Sequence, residues 1–270
     1  MTSLHNAVLD LKKLDLLGRG NTSLHRLDAR AKVLVTLIFI LCVVSHGRYE
    51  LSALIPFFLF PVIMISLSSI PPLFIVRKIA LLAPFFLVAG AFNPLFDRDV
   101  MLYVGSCGIS GGWISYASII IRSILTVGAA FILVGTTGFN ADCQALEQLG
   151  MPQVFTVQLL FLYRYIFVLA DESDRSSRAR ELRSCGKKGL GITSFGSMVG
   201  HLLLRSWQRA ERIHTAMLAR GFTGQFHTMR QSRFGAAEMC FVAGWSTLFV
   251  FLRCQNVSHF LGTLITEFFQ

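Results

Sequence analysis

Long apolar runs separated by short polar segments dominate the chain. Several of them reach the roughly 20 residues that a helix needs to cross a bilayer, and the first and fifth do so only with flanking residues. The runs fall at about residues 33–45, 51–70, 79–96, 113–136, 154–170 and 235–252. This pattern predicts an all-α integral membrane protein with about five to six transmembrane helices. We expect kinks at the prolines within or beside the runs. A membrane helix tolerates proline because neighbouring helices can bind the backbone carbonyls that proline leaves free.

A long polar segment, residues 171–233, interrupts this pattern. Its first part, DESDRSSRARELRSCGKKG, contains a single large aliphatic side chain, Leu182, so a helix there must be solvated or docked on a protein. We therefore divide the chain into a membrane part (1–170), a cytoplasmic helical region (171–233) and a C-terminal helix with its tail (234–270).

The second part of the polar segment predicts an amphipathic helix. In HLLLRSWQRAERIHTAML one face is largely apolar and the opposite face carries arginines. Such a helix either lies on the membrane with its arginines toward anionic headgroups or docks on a soluble partner. In the docking alternative its apolar face packs on the protein itself. The apolar face holds Leu203, Trp207, Ala210, His214 and Met217, and the opposite face holds Arg205, Arg209 and Arg212.

Composition and charge agree with a membrane protein. Hydrophobic residues make up 53% of the 270 residues and charged residues 15%, with a net charge of +10. Six of the 25 basic residues lie in 1–32 and twelve in 171–233, which is not the continuous basic face that a nucleic acid requires. Both blocks favour the cytoplasm. Five crossings between them would separate them, so either the N-terminus lies outside or one apolar run does not cross.

Candidate chemistry is sparse. The chain has no G-x-x-x-x-G-K-[ST] motif, and its seven histidines and six cysteines show no metal-ligand spacing. We therefore expect no catalytic residue, no cofactor and no metal site. Arg122 and Arg164 lie inside apolar runs, where a charge marks either a transport path or, as we favour, a side chain that reaches the membrane interface.

The amphipathic helix ends in Ala219-Arg220-Gly221. Alanine is small, arginine offers a planar fork of donors for a carboxylate, and glycine permits close backbone approach. This shape favours docking on a protein partner, although a plain helix C-cap also explains Gly221.

Three features together carry a resemblance to a known family: LHRLDARAK before the first apolar run, VQLLFLYRYIFVLADE leading into the basic segment, and two Ala-Arg-x elements about forty residues apart. From about Leu14 to Met229 the chain resembles the T component of energy-coupling-factor (ECF) transporters, most closely the cobalt-type CbiQ family. The resemblance implies a non-catalytic, multi-pass subunit of the bacterial plasma membrane. Such a subunit couples a pair of cytoplasmic ABC-type ATPase subunits to a separate substrate-capture membrane subunit, here for cobalt uptake.

The same resemblance assigns the coupling residues. Ala219, Arg220 and Gly221 match the second coupling motif of the family. The first motif corresponds to Ala179, Arg180 and Glu181, where glutamate replaces the usual glycine or serine. Either Glu181 turns away from the partner or coupling at this end is altered. Two other functions stay open: a self-contained permease with its own substrate path, and an intramembrane enzyme.

Overall fold

The fold is described from a computed structural model. It describes residues 22–47, 49–68, 70–96, 100–104, 107–183, 192–224 and 235–254, together with a few positions between 13 and 20. The chain divides into two compact units. We call residues 14–142 and 232–270 the bundle unit, and residues 1–13 and 143–231 the hairpin unit.

The described part of the bundle unit is mainly helical. Its elements are α1 (Ser23–Arg26), α2 (Ala29–Val44), α3 (Leu51–Leu54), a 3-10 turn (Ile55–Phe58), α4 (Leu59–Ser68), α5 (Pro72–Gly90), α6 (Asn93–Phe96), β1 (Val100–Val104), β2 (Cys107–Ser110), α7 (Gly111–Thr137) and α11 (Ala236–Cys254). A short helix, α8 (Phe139–Gln148), contains the division between the two units. Strands β1 and β2 pair antiparallel in the glycine-rich segment before α7, where the hydrophobic pattern predicted no strand.

The described part of the hairpin unit contains the second half of α8 and two long helices, α9 (Gln153–Arg183) and α10 (Ile192–Ala219). Residues 170 and 171, where we divided the sequence, both lie within the unbroken α9.

The prediction of an all-α membrane protein is confirmed. Among the described residues, four helical stretches are long and apolar enough to cross a membrane: Leu51–Ser68, α7, α9 and α11. The remaining two apolar runs lie mainly in α2 and α5. Large apolar side chains such as Leu73, Leu81 and Phe85 are more than 70% exposed, which is the expected condition of a lipid-facing surface.

Aromatic rings form the core of the bundle unit. The ring of Phe39 in α2 lies 4.6 Å from that of Phe60 in α4 and 5.3 Å from that of Phe249 in α11. Trp245 contacts Phe60 edge-on at 5.0 Å. Tilted and edge-to-face pairs at these distances add to the burial energy of the rings. This cluster therefore holds the C-terminal helix against the N-terminal ones.

Two arginines fix the C-terminal end of α2. Arg122 of α7 donates to the backbone carbonyls of His46 and Gly47, at 3.0 and 3.2 Å. Arg253 of α11 donates to the carbonyl of Ser45 at 3.0 Å. Carbonyls at a helix C-terminus lack partners within the helix and carry a partial negative charge, so guanidinium groups stabilise them. Arg122 thus joins two helices, and Arg164 lies exposed on α9.

Candidate partner-docking site on the helical hairpin

Helices α9 and α10 run in opposite directions along each other. The hydroxyl of Ser177 lies 3.6 Å from the sulfur of Met198, and Arg205 Nη1 bonds Glu172 Oε1 at 2.5 Å. The contact that lies earlier in α9, at residue 172, is therefore the one that lies later in α10, at residue 205, as expected for antiparallel helices. We call this pair of helices the hairpin.

The first Ala-Arg-x element lies in the last turn of α9. Ala179 and Glu181 are exposed, whereas Arg180 is half-buried. Its Nη1 atom is buried without a hydrogen-bond partner among the described residues. Glu181 is thus exposed on the helix surface, and because Ala179 is exposed as well, both alternatives for this departure stay predictions.

The second Ala-Arg-x element forms the C-terminal end of α10. The amide of Phe222 donates to the carbonyl of Met217 and the amide of Gly221 to that of Leu218, both at 3.0 Å. With Gly221 at φ +76°, these two bonds make a Schellman cap. A Cβ at Gly221 would meet nothing within 4 Å, so the backbone conformation, and not space within the chain, favours glycine there.

All three residues of this second element are exposed. The guanidinium of Arg220 is therefore accessible at the tip of the helix, beside the C-cap. The C-cap explanation of Gly221 is correct, and it leaves the exposed glycine open to close approach by another protein.

The two elements lie at opposite ends of the hairpin. Arg180 comes three residues after Ser177, and Arg220 comes 22 residues after Met198, in the opposite direction. At 1.5 Å rise per residue, straight helices place the two arginines about 37 Å apart along the hairpin. Their spacing along the chain was readable from the sequence, whereas this separation in space was not.

The face of α10 that packs differs from the one we expected. Half-buried residues on the side of α9 are Leu202, Ser206, Ile213 and Met217. Leu203 and Trp207, from the predicted apolar face, are both 66% exposed. The packed face is turned away from the predicted stripe because α9 lies along the border between the apolar and arginine faces. Much of the apolar face is therefore left uncovered by the hairpin.

A buried charged group in the bundle unit was missed by the sequence reasoning. Lys32, in the LDARAK segment, is 1% exposed and its Nζ donates to the carbonyl of Thr136 at 3.1 Å. Asp142 in α8 is also buried, and burial raises its pKa to about 7 against the opposing charge of Lys32. Neither carboxylate oxygen of Asp142 has a partner at good hydrogen-bond geometry among the described residues, although the nearby Thr137 hydroxyl opposes the rise in its pKa. The only feature of the sequence that could have indicated this buried charge was a lysine at the start of an apolar run.

Metal-binding groups are not assembled in the described part of the chain. No three histidine, cysteine, aspartate or glutamate side chains there lie close enough to hold a metal ion.

These features define a class of protein: a multi-pass protein of the cell membrane, built from apolar helices and carrying a polar helical hairpin with two arginine-tipped ends. Residues 20–230 match the family model of the CbiQ cobalt transport protein. The chain belongs to the CbiQ family.

Relatives over most of the chain agree with this assignment. The chain is 26% identical to the energy-coupling factor transporter transmembrane protein EcfT of Ruminiclostridium cellulolyticum, over 86% of this chain and 91% of that protein. It is 27% identical to EcfT of Listeria innocua, over 77% of this chain and 85% of the relative. An uncharacterised protein of Methanocaldococcus jannaschii is 26% identical, over 81% of this chain and 78% of its own length.

Proposed function

We propose that this chain is the transmembrane coupling subunit of an ECF-type importer. It transmits the ATP-driven motion of cytoplasmic ABC-type ATPase subunits to a separate substrate-capture subunit in the membrane, and it catalyses no reaction itself. Relatives named as energy-coupling factor transporter transmembrane proteins support this role. The family name, cobalt transport protein, supports cobalt ions as the cargo.

The observation that carries the proposal is the placing of the two Ala-Arg-x elements at opposite ends of one hairpin. A pair of ATPase subunits that closes on ATP and opens after hydrolysis moves its two docking surfaces relative to each other. A rigid element that bridges both surfaces converts this motion into a rearrangement of membrane helices. Two arginines about 37 Å apart along antiparallel helices suit two separate subunits better than one.

The roles follow from residue chemistry. Arg180 and Arg220 each offer a planar donor fork to a carboxylate, and such pairs resist slippage better than lysine pairs do. Ala179 and Ala219 keep the approach to each arginine unobstructed. Gly221 caps its helix and adds no side chain at the contact, whereas Glu181 makes the first contact more acidic and weaker. We therefore assign the stronger anchor to Arg220.

We place the hairpin on the cytoplasmic side of the membrane. Although α9 is apolar enough to cross, α10 runs antiparallel to it and carries Arg209 and Arg212. Arginines at the centre of a bilayer cost about 2.5–3.5 kcal/mol each, which disfavours inserting this helix pair. Without a crossing by α9, four apolar runs separate the two basic blocks, and both then lie in the cytoplasm as the positive-inside rule favours.

Copurification from membranes tests the coupling role. We expect the tagged chain to bring ABC-type ATPase subunits with it, and Arg180→Glu combined with Arg220→Glu to release them while the protein stays in the membrane. Removing one partner of such a pair typically costs about 2–5 kcal/mol. Arg175→Glu, an exposed charge reversal on α9 outside both elements, is the matched control.

Two results would refute the role. One is a wild-type chain that copurifies with no ATPase, and the other is normal uptake of radiolabelled cobalt by the double variant. Uptake that persists in cells lacking the ATPases would instead support the self-contained permease. Competition by nickel in the same uptake assay tests the choice of cargo.

A further inference from the structure

An open apolar groove runs between the two helices of the hairpin. Its cavity volume is about 490 Å³, and its lining includes Phe161, Tyr165, Leu169, Leu202, Ile213 and Met217. Volumes of about 300–1,000 Å³ are typical of sites for small ligands. The groove is therefore large enough for a ligand that is mostly hydrocarbon.

A second, polar pocket adjoins the groove. It has a volume of about 300 Å³ and is lined by Glu172, Gln208 and three arginines, Arg205, Arg209 and Arg212. Glu172, Arg205 and Arg209 also line the apolar groove, so the two cavities share a wall. A ligand in the groove can thus place a polar end among the arginines.

The charges in this polar pocket favour an anion. Glu172 bonds Arg205, which leaves the guanidinium groups of Arg209 and Arg212 as a surplus of two positive charges in the pocket. A phosphate group accepts several charge-assisted hydrogen bonds from such planar forks. We propose that the hairpin binds an anionic phospholipid, with an acyl chain in the apolar groove and the phosphate at Arg209 and Arg212.

The surroundings of the groove favour a lipid over an acidic peptide. Phe161, Tyr165 and Leu169 belong to the stretch of α9 that is apolar enough for a membrane environment. Exposed Trp207 also lies on the groove, and Tyr165 and Trp207 are the side chains that concentrate at membrane interfaces. The proposal does not depend on the coupling role, because it concerns the isolated chain and the bilayer.

Quenching of Trp207 fluorescence by brominated lipid tests the site directly. Trp113 and Trp245 are first replaced by Phe, so that Trp207 is the only tryptophan of the purified full-length chain. The chain is then placed in nanodiscs of phosphatidylcholine that contain a few per cent of brominated phosphatidylglycerol or brominated phosphatidylcholine. We expect saturable quenching by the anionic lipid at concentrations where the neutral lipid has little effect.

Variants separate the phosphate contact from general membrane attraction. Arg209→Gln with Arg212→Gln should weaken the phosphatidylglycerol effect by at least about 30-fold, because both guanidinium donors to the phosphate are lost. Arg175→Gln removes one exposed charge outside both cavities and should leave it almost unchanged. Ile213→Gln places a polar amide in the apolar groove, where an acyl chain would lie. It should therefore reduce quenching by both lipids. Circular dichroism and gel filtration establish that each variant is folded.

Three outcomes would overturn the proposal. Equal quenching by the two lipids in the wild-type background means that no anionic site exists. A loss in Arg175→Gln that is as large per charge removed as in the double variant means that only the total charge matters. Absence of quenching in the isolated chain, combined with protection of Trp207 by a copurified protein subunit, identifies the groove as a protein interface. None of these results bears on ATPase copurification, so the coupling role is tested separately.

Discussion

The Nζ of Lys32 and the carbonyl of Thr136 form a buried hydrogen bond of 3.1 Å between residues 104 positions apart. Both side chains are 1% exposed. The bond joins the first turn of α2 to the last turn of α7 and lies near the buried carboxyl group of Asp142. A buried ammonium group is costly without partners, so this corner of the bundle unit depends on its few polar contacts.

Replacing Lys32 by methionine tests this dependence. The methionine keeps the apolar stem but removes the charge and the bond to Thr136, and it leaves Asp142 without its compensating charge. We expect a loss of about 1–3 kcal/mol at pH 8, the usual cost of leaving a buried acceptor, here the carbonyl of Thr136, without its donor. Thermal unfolding of the detergent-solubilised protein measures it. Arg26→Met, at an exposed position in α1, is the control, and a similar loss there would refute the assignment.

The titration of Asp142 predicts how the stability of the folded protein depends on pH. Its pKa is raised to about 7 by burial, from about 3.9 in an unfolded chain, so the folded protein favours the protonated form. This contribution to stability is complete below pH 4 and is lost as the pH rises through 7, by up to about 4 kcal/mol. Asp142→Asn removes the titration and should raise the unfolding midpoint at pH 8 relative to wild type, with little change at pH 5.

His25 also titrates, so the measurement of Asp142 needs a control. Burial lowers the pKa of His25, which also lies near Lys32, so its contribution is lost as the pH falls. The wild-type profile therefore contains two opposing trends, and only the difference between Asp142→Asn and wild type isolates Asp142. Glu147→Gln, on the same helix, should follow the wild-type curve. A difference that stays constant from pH 5 to 8 would contradict the raised pKa.

A substitution at Gly221 can distinguish its role in capping the helix from a role in contacting the partner. Asparagine tolerates the left-handed conformation better than other residues with a side chain, so Gly221→Asn should cost within roughly 1 kcal/mol of stability. Under the coupling role it should nevertheless reduce ATPase copurification, because it adds bulk where the partner approaches. Gly150→Asn is a matched control, since Gly150 occupies the same kind of cap in α8 with φ +112°. If the Gly221→Asn variant copurifies with as much ATPase as the wild type does, the glycine only caps the helix and does not contact the partner.

The apolar runs and the caps were predictable because they are local properties. The run at 51–70 became the stretch Leu51–Ser68, and Gly221 caps the C-terminal end of α10. Arg122 shows the limit of such reasoning. Its position at the membrane interface stays a prediction, and no pattern in the run indicates that its guanidinium donates to two carbonyls that lie some 75 residues earlier in the chain.

The sequence by itself determined the class of protein, the positions of the membrane helices and the two Ala-Arg-x elements, since hydrophobic periodicity and residue shape act over a few turns. Only the tertiary structure decided which face of α10 packs, that α9 and α10 run antiparallel, and that Arg180 and Arg220 therefore lie at opposite ends. It also decided that Lys32 is buried beside Thr136. These relationships depend on the direction and rotation of helices far apart in the chain, which no local pattern encodes.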